Sequence, residues 1–261
     1  MHRIGIIPAR MASSRFPGKP LAKINGTPMI GHVYFRSKLT DCLDEVYVAT
    51  CDTAVRDYIE SVGGKAVMTS DKHERAAERC SEAIRKIEDS TQRRVDIAVM
   101  IQGDEPMLLP EMIAEALRPL EEDKRILVSN LMAPITTRED HNDPNEVKVV
   151  VDRQNNALYF SREPIPSWKK GAKTVRMMKQ VCVIPFQRDF LIQFNEIPPT
   201  ELEIVESVDM LRVLEHGFKV KMVPTRFVTY SVDTPEDLQL VADLMREDPL
   251  AARYPKPTGK T

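Results

Sequence analysis

Five consecutive apolar residues, Ile97-Ala98-Val99-Met100-Ile101, run straight into Gln102-Gly103-Asp104-Glu105-Pro106. A strand with one wet face alternates polar and apolar positions. A run that is apolar at every position needs cover on both faces, as in a parallel sheet flanked by helices. The rest of the first half agrees with that demand. Strand-like Arg3 to Pro8, Glu45 to Ala49, Lys65 to Met68 and Ile97 to Gln102 alternate with helix-period segments at Pro28 to Leu39, Thr53 to Val62, Arg75 to Ile87 and Pro110 to Leu120. After about Arg125 the rhythm changes. Strand-like Ile126 to Leu131, Val147 to Val151, Ala157 to Phe160 and Gln180 to Phe186 follow one another, which predicts an inserted antiparallel β element. A helix is expected at Glu201 to Glu215, a strand at Lys219 to Val223, and a last helix to Met245 with Thr234 as N-cap and Pro235 in its first turn. The tail from Asp248, with prolines 249, 255 and 257, reads as loosely held.

Composition narrows the function classes. Apolar residues make up 42% and charged residues 29% of the 261 positions, as in a folded globular protein. Thirty-seven basic against 39 acidic residues give a formal charge of −2, so there is no global field to hold nucleic acid or an anionic bilayer. Any anion site must be local. No apolar stretch approaches the roughly 20 residues that span a bilayer. Residues 1–8 read as a first strand rather than a signal peptide, and a cytoplasmic protein is expected. Cys42, Cys51, Cys80 and Cys182 show no paired spacing and read as plain thiols. His32 reads as a packing or interface residue, His141 and His216 as solvated, and Trp168 with Lys169 and Lys170 as part of a loop.

Two segments carry candidate chemistry. Arg10, Ser13, Ser14, Arg15 and Lys19 follow the first strand within ten residues. Two guanidinium forks, two hydroxyls and a point charge suit a polyphosphate, although a solvated basic loop has the same composition. Lys19 precedes Pro20 rather than a hydroxyl residue and no G-x-G-x-x-G follows a strand, so neither of the two familiar phosphate fingerprints applies. Asp104 ends the buried strand, where open α/β sheets bind ligands, and one or two carboxylates plus phosphates suit Mg²⁺. A helix-start acid is the other reading. Asp233, just before the last N-cap, is a second acid for the same ion if the fold brings the two together.

These residues, with Asn25-Gly26-Thr27-Pro28-Met29-Ile30, Val48-Ala49-Thr50, Asn145 to Val150, Leu158-Tyr159-Phe160-Ser161-Arg162, Leu211-Arg212-Val213-Leu214 and Val232 to Leu238, resemble the CMP-Kdo synthetases in register from Ile4 to about Met245. These are the 3-deoxy-manno-octulosonate cytidylyltransferases. The resemblance implies a Rossmann-like α/β nucleotidyltransferase fold with a largely parallel sheet. It implies a single domain over 1–249 whose insert, roughly 132–200, serves acceptor binding and homodimer formation, with 250–261 as a loose tail. It implies transfer of CMP from CTP to an acid sugar with release of pyrophosphate. Position by position, Arg10, Ser13, Arg15 and Lys19 would hold the CTP phosphates, Gln102 would lie by the nucleotide, Asp104 and Asp233 would bind Mg²⁺, and Arg162 would face the acceptor's anionic group. Lys19, Arg10 and Asp104 would carry the catalysis.

The chain departs from the family pattern at two places. Where the family has His-x-Ser-Gly-Thr before an acid and Arg, this chain has His73-Glu74-Arg75-Ala76-Ala77, so Arg75 becomes either a nucleotide-side contact or a helix start. Where the family tends to have His-x-Gly-x-Tyr-x-Tyr and Leu-Glu-Gln-Leu-Arg in its acceptor region, this chain has Gln180 and Ile184 for the His and first Tyr, and Asp209 and Met210 for the Glu and Gln. The expected activity is thus a CTP- and Mg²⁺-dependent cytidylyltransferase acting on a Kdo-like acid sugar or related acid. A small phosphonate is the alternative acceptor, and a non-catalytic nucleotide-binding homologue the second alternative. No nucleic-acid or membrane partner is expected.

Overall fold

The computed structural model describes residues 1–12, 16–169, 175–228 and 230–254. Among these the chain forms β1 (Arg3–Ala9), β2 (Lys23–Ile24), β3 (Thr27–Pro28), α1 (Met29–Lys38), β4 (Glu45–Thr50), α2 (Thr53–Ser61), β5 (Lys65–Met68), α3 (Ala76–Thr91), β6 (Ile97–Ile101) and α4 (Pro110–Glu122). It continues with β7 (Ser129–Pro134), α5 (Arg138–Asn142), β8 (Lys148–Val151), β9 (Ala157–Ser161), β10 (Met178–Val181), β11 (Val183–Gln187), α6 (Arg188–Glu196), α7 (Glu201–Glu206), α8 (Met210–Glu215), β12 (Lys221–Pro224) and α9 (Pro235–Leu244). Two compact units result: Met1–Ala114 with Thr229–Thr261, and Glu115–Val228.

In the first unit β6, β1, β4 and β5 lie side by side and all pair in parallel. Ile4, Ile6, Ile7, Val48, Ile97, Val99 and Ile101 are fully buried, which is the two-sided cover their unbroken apolar pattern requires. The sheet also needs a small residue where β6 ends. A Cβ on Gly103 would stand 3.1 Å from Ile30 Cδ1 and 3.2 Å from the Pro8 carbonyl oxygen.

The C-terminal segment of this unit is anchored as far as Tyr254, where the sequence suggests a loose tail. Arg36, 1% exposed on α1, pairs with the Asp248 carboxylate, and it donates to the Leu108 carbonyl at 3.1 Å and to the Tyr254 hydroxyl at 2.9 Å. A buried guanidinium demands such partners, and they come from the tail. His32, the expected packing residue, is 3% exposed between Tyr254 and the Ile24 carbonyl.

The second unit has the strand order β12-β7-β10-β8-β9. β12 joins β7 in parallel and the other pairs are antiparallel, so the insert is antiparallel in the main. Several elements depart from the sequence reading. The strand expected at Ile126 to Leu131 sits at Ser129–Pro134, and Gln180 to Phe186 divides at Cys182 into β10 and β11. Helix α6 was not anticipated. Glu201 to Glu215 is two helices, because Ser207 takes a left-handed backbone (φ 54°). His141 is fully buried rather than solvated, with Nε2 on the Ile165 carbonyl at 2.9 Å, whereas His216 is exposed. All four cysteines are free thiols, as read. Among the described residues no helix is long and apolar enough to cross a membrane.

Candidate functional site

In the first unit the loop after β1 is closed by its own backbone. The Gly18 N–H donates to the Met11 carbonyl at 3.0 Å, and Gly18 takes φ 77°, a conformation a side chain would strain. The Met11 N–H donates to the Asp52 carboxylate at 2.8 Å. Asp52 stands at the N-cap of α2 yet does not cap it, because its side chain serves this loop instead. Lys19 follows directly. Arg10 is exposed at the end of β1, and Ser13 and Arg15 lie outside the described residues.

Asp104 arrives from β6 through Gln102 and Gly103. Asp233 arrives from the other end of the unit, held by two devices. Val232, Val241 and Met245 pack with Ile24 and Met29 in one buried cluster, which lays the segment before α9 along the β2–β3 hairpin. The backbone then joins the two acids, since the Val232 N–H donates to the Asp104 carbonyl at 2.9 Å. The N–H groups of Asp233 and Thr234 donate to Asp237 at 2.9 and 2.8 Å, while Thr234 Oγ1 accepts the Asp237 N–H at 3.2 Å. That reciprocal cap fixes the position of Asp233.

Lys19 Nζ lies between the two acids, 2.9 Å from Asp104 Oδ2 and 3.3 Å from Asp233 Oδ1, and it also donates to the Val232 carbonyl at 2.8 Å. The three side chains are mostly buried, at 13%, 24% and 18% exposure for Lys19, Asp104 and Asp233. Burial works against the ammonium charge, but the Coulombic pull and hydrogen bonds of both carboxylates outweigh it and hold the Lys19 pKa above its ordinary value. The donor chemistry fits a divalent ion. Two carboxylates already converge on one cation, and oxygen donors of this kind suit hard metals such as Mg²⁺. Gln102 is half-buried just after β6.

Arg75 stands at the N-cap of α3, where Glu78 accepts the backbone N–H groups of Glu74 and Arg75 at 3.1 and 3.2 Å. Behind this turn Glu82 accepts from the Ser70 N–H, His73 and Lys86. Burial pushes the Glu82 carboxyl up, yet those three donors prevail and pull its pKa from the usual 4.5 to about 2.

The second unit holds the acceptor-side candidates, and its charges behave differently. Arg162 directs Nε to the Glu206 carbonyl at 2.7 Å, Nη1 to Pro144 at 2.8 Å and Nη2 to Ser207 at 3.4 Å. The Glu206 carboxylate accepts Ser161 Oγ and the Arg162 N–H, both at 2.7 Å. Lys148, fully buried, donates to the carbonyls of Asp143 and Arg162, and its burial lowers its pKa. Gln180 gives its amide to Asn130 Oδ1 at 2.6 Å. Asp209 is half-buried at the start of α8. Ile184 and Met210 are 3% and 0% exposed, among the buried hydrophobic residues. Packing is thus one physical reason for their apolar character.

Two residues that hold these segments in place are not marked by the sequence. Asp52 looks like an ordinary N-cap, and only its 41-residue reach to Met11 reveals its task. Glu206 ends a short helix of acidic and apolar residues, with nothing local to mark it as the acceptor for Ser161 and Arg162.

Comparison with known proteins identifies the family. The cytidylyltransferase family matches residues 4–222. The 3-deoxy-manno-octulosonate cytidylyltransferase of Geobacter metallireducens is 43% identical over 248 residues, covering 91% of this chain and 95% of its own length. That of Syntrophobacter fumaroxidans is 42% identical over 253 residues, covering 97% and 100%. The solved structure of a CMP:2-keto-3-deoxy-manno-octonic acid synthetase complexed with CTP aligns with a TM-score of 0.86 at 37% identity, over 94% of this chain and 98% of that one. A cytidylyltransferase from Leptospira borgpetersenii shares the fold, with a TM-score of 0.60 at 17% identity over 94% of this chain and 87% of that one. With its parallel sheet, its loop after β1 and its converging acids, the chain belongs to the 3-deoxy-manno-octulosonate cytidylyltransferase family of nucleotidyl-transferring enzymes.

Proposed function

We propose that the protein transfers CMP from CTP to 3-deoxy-manno-octulosonate or a closely related acid sugar, releasing pyrophosphate, with Mg²⁺ held by Asp104 and Asp233. The observation that carries this reading is the convergence of both acids on the Lys19 ammonium at 2.9 and 3.3 Å, beside a backbone-closed loop. The relatives' names favour the sugar acid over a small phosphonate. The burial of Ile184 and Met210 gives their apolar character a packing role and supports the sugar acid over a rebuilt acceptor site. Retention of Lys19 and both acids speaks against a mere nucleotide binder.

In this reading Arg10, Ser13, Arg15 and Lys19 bind the phosphates, Gln102 lies by the nucleotide, and Arg75 borders that side. Arg162, Gln180 and Asp209 serve the acceptor side. When bound, Mg²⁺ neutralises phosphate charge and orients the polyphosphate. An acceptor oxygen attacks the α-phosphorus in line as pyrophosphate leaves. Such transfers ask the protein for positioning and charge stabilisation rather than covalent chemistry. A cytoplasmic homodimer is part of the same proposal and rests on the family resemblance.

The test is pyrophosphate release from CTP and Mg²⁺ with Kdo, and in parallel with a panel of phosphonates and other acids. Release with Kdo is expected. Release with a phosphonate alone would replace the acceptor assignment, and silence with every acid would leave only nucleotide binding.

A further inference from the structure

Lys19 has more than one task to perform, and its geometry shows that it cannot perform them from one place. An ammonium has three N–H donors. Here they are engaged by Asp104 Oδ2 at 2.9 Å, Asp233 Oδ1 at 3.3 Å and the Val232 carbonyl at 2.8 Å. A lysine so placed has no donor left for a phosphate. It also holds the position on which the two carboxylates converge, and a divalent ion entering beside it meets a like charge at close range in a mostly buried site.

The geometry points to Lys19 as a built-in surrogate cation: in the nucleotide-free protein its ammonium occupies the place between Asp104 and Asp233, so that metal binds there only as Lys19 departs for the phosphates. The inference rests on the metal reading above and adds an order of events to it. Metal alone must displace a cation that has nowhere to go. Metal arriving with nucleotide brings the phosphate oxygens that give the ammonium new partners. The acids are thereby kept compensated in the free protein, since two carboxylates at low exposure without a cation would repel one another. The loop supports such a movement: Lys19 sits beyond the Met11–Gly18 closure, so its side chain can swing while the backbone stays fixed by Asp52.

The test measures metal affinity without turnover. Mn²⁺ serves as the probe, with free ion followed by electron paramagnetic resonance in the absence of nucleotide. The proteins are wild type, Lys19→Met, Lys19→Arg, and Lys19→Met combined with Asp104→Asn. The expected result is at least a tenfold tighter Mn²⁺ site in Lys19→Met than in wild type. Lys19→Arg, which keeps the charge, should remain weak, and the double variant should lose the site. Metal should also raise the melting temperature of Lys19→Met more than that of wild type. Equal affinity in wild type and Lys19→Met, with loss in the double variant, would overturn the surrogate role and leave the metal site standing. Mn²⁺ binding indifferent to Asp104→Asn would overturn the metal reading itself. Should Lys19→Met fail to fold, the wild-type protein decides: its Lys19 ammonium resonance, slowed in proton exchange by three hydrogen bonds, should persist with millimolar Mg²⁺ alone and change on adding CTP with Mg²⁺. A resonance that responds fully to Mg²⁺ alone would refute the order proposed.

Discussion

The candidate site of the first unit gathers charges that meet each other, whereas Arg162 and Lys148 of the second unit meet backbone. Asp104, Asp233 and Lys19 form a cluster in which both carboxylates meet one ammonium. Arg162 and Lys148 instead give their donors to carbonyls of residues 143, 144, 162, 206 and 207. Arg212 differs from both, for it grips the Glu203 carboxylate with two contacts of 2.6 Å and also donates to the carbonyls of Phe194 and Ile197, with the pair only 3% and 0% exposed. The difference teaches how to tell a site from a scaffold. A charge satisfied by main chain, or locked to its partner out of reach of water as Arg212 is to Glu203, stays where the fold puts it, whereas a side-chain pair that keeps some exposure can trade partners.

That contrast can be broken by mutation. The largest effect is expected at Asp104→Asn, which should lower turnover by about 10²-fold or more while leaving the melting temperature close to wild type. Pyrophosphate release and a thermal melt measured on the same preparation check this, and a large drop in stability would make Asp104 scaffold rather than site. Arg212→Ala should do the reverse. Removing one partner of a buried pair costs about 3–5 kcal/mol, so the midpoint of urea unfolding should fall sharply. An unchanged midpoint would show that the pair is dispensable.

A subtler effect is expected at Asp52. Asp52→Ala removes the acceptor for the Met11 N–H and should raise the KM for CTP by about tenfold, a loss of about 1.4 kcal/mol in line with one hydrogen bond. Asp52→Asn, which retains an oxygen acceptor, should recover most of it. If both variants bind CTP as wild type does, the loop does not depend on Asp52.

The smallest effect is a pH dependence at Glu82. Its folded pKa of about 2 lies below the usual 4.5, so its contribution to stability is complete above about pH 4.5 and disappears as the pH falls toward 2. Glu82→Gln should flatten the stability profile in that acid window and nowhere else, as read by unfolding midpoints from pH 6 to 2.

Much of the first unit could be read from residue order alone. β5 at Lys65–Met68 falls where the apolar pattern puts it, and the other parallel strands end within a residue of the expected limits. The second unit was less legible. Its helices are short, so the break at Ser207 and the helix Arg188–Glu196 depend on neighbours that no local window contains. Arg75 illustrates the same limit, because a guanidinium at a helix start and one at a nucleotide share a sequence and differ only in surroundings.

What the sequence determined by itself was the class of fold and the kinds of chemistry at hand, since periodicity and residue type are local properties. Tertiary structure alone decided that Asp104 and Asp233, 129 positions apart by their numbering, converge on one ammonium. It also decided that Ile184 and Met210 belong to the core, and that Asp52 serves a loop rather than its own helix. The physical reason is common to all three. Which partner satisfies a polar group, and whether an apolar one meets water, is fixed by what the rest of the chain brings within about 3–4 Å.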